Sequence, residues 1–354
     1  MIGRDEHIAV QRVLASGRLS QGQMVHELER AFAELTGARF AIATSNGTAS
    51  LHAALVAHGV KDGDEVITTP FTFFATVGAI MAVGARPRFV DVDETFNLDP
   101  SLVEDAIGPH TRAVLPVHLF GLPVDMERLT EIADRHGLVV IQDAAQAHGA
   151  TLGGRALGSF GTACYSFYAT KNMTTGEGGC ITTNDPAVER AARLFINHGM
   201  NQPYAHERMG LNFRMCEMAA SIGVVQLRKL QRFNAARAAN AAYYQGALVG
   251  VKGLTLPRSA DGREHVWHQF TIRVSRERDA MRKRLAAEGI QTGVYYATPL
   301  HRQRAVTEVF GLAPALPVAE RLAREVLSIP VHPDLKRSQL VRVVKAVTRC
   351  AVEA

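Results

Sequence analysis

Residues 163–183 read ACYSFYATKNMTTGEGGCITT. Two short runs of strand-forming residues, Ala163–Phe167 and Cys180–Thr183, enclose a turn of glycines and small hydroxyl residues. One lysine, Lys171, stands in that turn. Its ammonium is strongly hydrated and its stem is costly to order, so a lysine normally belongs on a solvated helix face. Here Ser166, Thr170, Thr174 and Thr175 supply hydroxyls, while Gly176, Gly178 and Gly179 let a ligand approach the backbone closely. A lysine desolvated in such a turn can form a Schiff base with a carbonyl. The segment alone reads equally well as a solvated loop.

Outward from this turn, short β-branched runs alternate with helical patterns between Phe40 and Thr183. The other expected strands are Phe40–Thr44, Glu65–Thr69, Arg88–Val92, Ala113–Val117 and Leu138–Gln142. Helices are expected over Ala49–His58, Ala75–Val83 and Met126–His136. Strand–helix alternation of this kind predicts an α/β fold: a mostly parallel, seven-stranded sheet covered by helices on both faces. Ligands of such sheets sit beyond the carboxyl ends of the strands. After about Asn234 the pattern changes. An alanine-rich helix (Ala235–Leu248) leads into strand-like pieces at Leu254–Leu256, Val266–Val274 and Gly293–Tyr296, with helices at Asp279–Glu288, Val318–Glu325 and Gln339–Ala351. The expected division is a large domain over residues 1–240 and a smaller C-terminal α+β domain over 241–354.

The 354 residues, 47% hydrophobic and 21% charged, suit a globular chain with room for both units. No apolar run approaches the roughly 20 residues of a membrane helix. The charged start, MIGRDEHIAVQRVL, does not read as a signal peptide, so a cytoplasmic location is expected. Cys164, Cys180, Cys216 and Cys350 are widely spaced and form neither a CxxC metal pattern nor a disulfide framework. The net charge of +5 mildly favours an anionic ligand. Its lysines and arginines are scattered without interleaved aromatics, so nucleic acid is not expected as a partner.

Three further segments carry possible chemistry. TSNGTASLHAAL (Thr44–Leu55) places small residues at a strand–helix turn, where the free amides of Gly47, Thr48 and Ala49 offer an anion site. It lacks the Walker lysine and the GxGxxG fingerprint, and it also reads as an ordinary helix cap by Ser45 or Asn46. TTPFTFFAT (Thr68–Thr76) puts three phenylalanines at a strand end, as core or as cover for a flat ring. VVIQDAAQAHGA (Val139–Ala150) ends an apolar strand on Asp143, which is costly to bury without a cation or strong donor, or which caps the next helix. Gln146 lies three residues on. A flat ring with a basic nitrogen, a phosphate and an aldehyde for Lys171 would satisfy all of them together: pyridoxal 5′-phosphate.

These motifs, in this order, resemble the DegT/DnrJ/EryC1/StrS sugar aminotransferases of the fold-type-I pyridoxal phosphate class. The resemblance extends through SGRLSQGQMVHELERAFAELTG, RPRFVDVD, FNLDP, LPVHLFG, NHGM, GLNFRMCEMAASIGVVQL and LSIPVHPDL, nearly the whole chain. It implies Lys171 as the Schiff-base lysine, Asp143 on the ring nitrogen, Gln146 on the phenolic oxygen and Phe73 stacked on the ring. It implies Gly47, Thr48 and Ser166 on the phosphate. Asn212 would reach into the site of a partner subunit, so a homodimer with shared active sites is implied. Substrate contacts are expected from Arg214, Tyr295 and His301.

The implied reaction moves the amino group of L-glutamate onto a keto group of a nucleotide-linked sugar, for surface polysaccharide or secondary metabolite synthesis. The family segment HYPxPLH is YYATPLH here, changed at Tyr295 and Ala297, which weakens any reading of the sugar. Dehydratase relatives replace the lysine with histidine; this chain keeps Lys171. A cyclitol or other ketone acceptor, a non-catalytic cofactor-binding regulator and a dinucleotide-dependent oxidoreductase stand as the rival readings.

Overall fold

The protein is described by a computed structural model covering residues 2–259, 262–311 and 314–352. Its central sheet is built from β1 (Phe40–Thr44), β2 (Glu65–Thr68), β3 (Arg86–Phe89), β4 (Thr111–Leu115), β5 (Val139–Asp143), β6 (Thr162–Ser166) and β7 (Gly179–Thr183). Their order across the sheet is β1-β7-β6-β5-β4-β2-β3. Every neighbouring pair is parallel except those of β7, which runs antiparallel to both β1 and β6. The strand positions agree with the sequence expectation to within two residues at each end, except that β3 ends at Phe89, three residues before the expected Val92.

Successive side chains of a strand point to opposite faces, and both faces of this sheet are apolar. Ala41 and Ala43 of β1, with Tyr165 of β6, pack against α2 (Gln23–Thr36) and the first half of α7 (Glu217–Leu248). Ile42, Cys164 and Ile181 face the other way, onto α3 (Gly47–Ala57), α4 (Phe74–Ala82) and α6 (Pro186–Ile196). The helix starts are written locally. Asn46 accepts the Ala49 amide at 2.9 Å to cap α3, and Asp185 accepts that of Ala187 at 2.7 Å before Pro186 in α6.

Glu217 works at longer range. Its buried carboxylate accepts the backbone amides of Gly22, Met24 and Val25, each at 2.9 Å. Three orphan donors at the start of α2 are thereby satisfied from the start of α7.

α7 is 32 residues long, about 48 Å at the usual rise. It begins at Glu217, well before the expected Ala235. Its first half packs on the large sheet and its last turns, through Ala241, Tyr244 and Leu248, on a second apolar cluster. That cluster includes β9 (Phe270–Val274) and β10 (Val326–Ile329), which form an antiparallel sheet with β8 (Leu254–Thr255). α8 (Arg278–Ala287) and α11 (Arg337–Val352) cover it.

Two expected strands differ. β9 starts only at Phe270, because Trp267 takes a left-handed φ of 50° that breaks the extended run. Residues 293–296 form no strand; Gly293 alone bridges to Ser328.

Candidate active site

The carboxyl ends of β1, β2, β5 and β6 share one edge of the sheet, and a cavity of about 1060 Å³ opens there. Gly47 and Thr48 enter it after β1, Thr72 and Phe73 after β2, Asp143 and Gln146 from β5, and Ser166 and Lys171 from β6. Tyr295, Tyr296 and His268 close it from the C-terminal part of the chain.

Asp143 ends β5 and is buried. Its Oδ2 accepts the hydroxyl of Thr76 at 2.8 Å and its Oδ1 the amide of Ala145 at 3.1 Å. Burial pushes the carboxyl above the usual carboxylate range, opposed by those two donors and by the charge of Lys171. Lys171 carries the complementary perturbation. Burial pushes its ammonium below the ordinary lysine value, and the carboxylate of Asp143 works the other way. Its turn is tied at both ends, by the Phe167 amide to the Gly178 carbonyl at 2.8 Å and the Thr175 amide to the Phe167 carbonyl at 2.9 Å.

Gln146 is oriented from behind. Its Oε1 accepts the amide of Phe120 at 2.8 Å, which turns its Nε2 toward the cavity and the Tyr296 hydroxyl at 3.0 Å. Phe120 adopts a φ of 56° to present that amide, a conformation that costs a bulky residue free energy. Burial pushes the Tyr296 phenol well above its ordinary value, against the hydrogen bond from Gln146, so this hydroxyl stays protonated.

Opposite lies the start of α3, with the Gly47 and Thr48 amides at its positive end. A Cβ on Gly47 would stand 2.7 Å from the Cβ of Ser166, so only glycine lets the first turn of α3 lie against β6. Phe73, at the start of α4, has its ring on the cavity and is 62% exposed.

Three predicted residues lie elsewhere in the single chain. Asn212 is exposed and bridges to Asn197. Arg214 donates from Nη1 to Asn197 Oδ1 at 2.6 Å and bridges to Thr44, so it braces the loop behind β1 and does not face the cavity. His301 is fully buried with Nε2 2.9 Å from Glu320 Oε1, a packing position off the cavity wall. Thr76, Phe120, Tyr296 and His268 were not singled out. Tyr296 lay one residue from the chosen Tyr295, whereas the others show only once the chain is folded.

Among the described residues no cluster of His, Cys, Asp and Glu is arranged to hold a metal ion, and no helix is long and apolar enough to cross a membrane.

The model of the DegT/DnrJ/EryC1/StrS aminotransferase family matches residues 1–348. The chain is 45% identical over 340 residues to a pleiotropic regulatory protein of Geobacillus stearothermophilus, covering 95% of this chain and 91% of that one. It is 43% identical over 349 residues to the dTDP-3-amino-3,4,6-trideoxy-alpha-D-glucose transaminase of Streptomyces venezuelae, covering 97% and 91%. The crystal structure of S. venezuelae DesV in complex with a ketimine intermediate superposes with a TM-score of 0.95 at 42% identity, covering 98% of this chain and 94% of that one.

Proposed function

The chain belongs to the DegT/DnrJ/EryC1/StrS aminotransferase family, and on that premise we propose that it transfers the amino group of L-glutamate to a ketone carbon of a nucleotide-linked sugar. It is a sugar aminotransferase whose cofactor is pyridoxal 5′-phosphate. The observation that carries the site assignment is the convergence of Lys171, Asp143 and the start of α3 on one cavity.

The residues present fit that cofactor. A buried carboxylate facing a cavity without a cationic side chain bonded to it suits a protonated ring nitrogen. The amides of Gly47 and Thr48 with the Ser166 hydroxyl suit a phosphate, and the Nε2 of Gln146 suits the phenolic oxygen. Phe73 suits the ring face. When bound, the cofactor supplies an aldehyde carbon that carries the amino group and a ring that absorbs electrons.

The chain's own groups do the rest. Lys171, desolvated so that its amine loses a proton readily, serves as attachment point and then as the base that moves a proton between reacting carbons. Asp143 keeps a proton on the ring nitrogen, and Thr76 and the Ala145 amide keep Asp143 ionised while it does so. Tyr295 stands at the substrate side of the cavity. Two exposed apolar side chains near Asn212, Tyr204 at 93% and Met209 at 71%, support a dimer in which that segment meets a second copy.

The Geobacillus relative carries a regulatory name, so catalysis by this chain is tested directly against a non-catalytic role. One experiment separates them. Purified protein loaded with the cofactor is mixed with glutamate, and the loss of its visible absorbance is followed together with formation of 2-oxoglutarate. A panel of UDP-, dTDP- and GDP-ketosugars is then added and the aminated product identified by mass spectrometry and NMR. Absence of 2-oxoglutarate from native protein, or its presence at full rate with Lys171→Ala, would defeat the proposal.

A further inference from the structure

One polar side chain on the cavity wall has no part in the scheme above. His268 is buried, with its ring on the cavity beside the lysine turn. Its protonation is set by a chain of hydrogen bonds that begins at backbone carbonyls, whose acceptor role is not in question. Asn234 Nδ2 donates to the His148 carbonyl at 2.8 Å, so Asn234 Oδ1 must accept. It accepts from Asn172 Nδ2 at 2.9 Å, which also donates to the Val266 carbonyl at 2.9 Å. Asn172 Oδ1 is therefore the acceptor facing His268 Nδ1 at 3.1 Å, and that nitrogen carries the hydrogen. The remaining nitrogen, Nε2, is left with a lone pair and no partner among the described residues.

The ring is also fixed in place. The Val266 amide donates to the Gly121 carbonyl at 3.0 Å and the Gln269 amide to the Phe120 carbonyl at 3.2 Å. Arg237 Nη1 donates to the carbonyls of Trp267 and of His268 itself, at 3.1 and 3.2 Å. Asn172, which orients the ring, is the residue after Lys171, so one backbone unit links the histidine's support to the lysine. Burial, then the charges of Lys171 and Arg237, push the imidazole well below its ordinary value, consistent with a neutral ring.

We propose that His268 is a positioning residue for Lys171: its Nε2 lone pair, which no hydrogen bond among the described residues uses, accepts an N–H of the lysine amine as that side chain swings toward it, and so aims the nitrogen's own lone pair into the cavity. A lysine ends in a freely rotating group with several donors. An acceptor that cannot become a donor selects one orientation of it without adding positive charge. This rests on Lys171 being the attachment lysine.

The test uses two substitutions that divide the ring's two functions. His268→Asn keeps a donor where Nδ1 stood and removes the acceptor at Nε2; His268→Gln reaches the Nε2 position with an amide oxygen. The readout is the rate at which cofactor-free protein attaches added pyridoxal 5′-phosphate, with borohydride trapping and peptide mapping at Lys171. Attachment should slow about tenfold in His268→Asn and recover to within about threefold of the parent in His268→Gln. A parental rate in His268→Asn, or equal slowing in both variants, overturns the assignment. Should His268→Asn fail to fold, a tenfold loss in His268→Gln overturns it, and a rate within threefold supports it. If the unsubstituted protein itself traps no cofactor at Lys171, the proposed site has failed and not this inference.

Discussion

Gly47→Ala tests the phosphate end of the site with a single methyl group. The added Cβ would stand 2.7 Å from Ser166 Cβ and 3.2 Å from both its Cα and its Oγ. Ordinary carbon contacts lie at about 3.5–4.0 Å, so the start of α3 and the end of β6 must separate by about 1 Å. Hydrogen bonds to a phosphate weaken steeply over that distance. Losing one charge-assisted bond at about 1.5–3 kcal/mol predicts a cofactor affinity about 10- to 150-fold weaker, and losing two squares that factor. The assay is titration of the cofactor-free protein with pyridoxal 5′-phosphate and, in parallel, with pyridoxal. Only the phosphorylated form should suffer. Overpacking costs about 1–3 kcal/mol of stability, so the unfolding midpoint is measured beside it. Unchanged affinity for pyridoxal 5′-phosphate, or an equal loss for both ligands, would refute the placement of the phosphate.

Glu217→Ala should destabilise the chain by about 3–5 kcal/mol, because three amides at the start of α2 lose a buried charged acceptor; a change under about 1 kcal/mol in urea unfolding would contradict this. Burial holds His58 and His118 down to about 4, and His148 and His265 down to about 3, against 6.5 for the free side chain. The unfolded chain binds protons that these folded-state rings refuse, so their contribution is present above pH 6.5 and is lost as pH falls toward the folded values. Each accounts for about 1 kcal/mol between about pH 6.5 and 5.5, so a stability that stays flat across that interval would dismiss the idea. Thr76→Val removes a donor that lowers the Asp143 carboxyl, so the acid limb of the activity profile should move to higher pH. An unmoved limb would show that Asp143 does not titrate in it.

The strands of the large sheet were legible because β-branched runs bounded by glycine and polar turns leave few alternatives. Their lateral order was not. Nothing in the composition of Gly179–Thr183 announces that it inserts antiparallel between β1 and β6. The start of α7 escaped because its first half is packed on several sides and shows little amphipathic stripe, whereas the alanine-rich second half does. In the site, Lys171, Asp143 and Gln146 stood out as polar residues at ends of apolar strands. Thr76 did not, since a threonine in the first turn of a helix is unremarkable until its hydroxyl meets a carboxylate 67 positions away. Arg214 and His301 stood out by motif alone, which carries no packing information: in the single chain each bonds a neighbour, Asn197 or Glu320, and neither lines the cavity.

The antiparallel β7 has one more consequence. Because the chain doubles back at once after Lys171, the lysine rides on a short bridge anchored to adjacent strands, with no helix or hinge behind it. The mobile part is the side chain itself, a jib of four methylenes whose tip reaches roughly 6 Å from its pivot. In the proposed reaction whatever the amine serves must come within that arc, the donor's carbon in one visit and the sugar's carbon in the next. Two substrates that must be worked from one berth cannot occupy it together, so the layout of this turn favours alternating occupancy, with each product leaving before the next substrate docks.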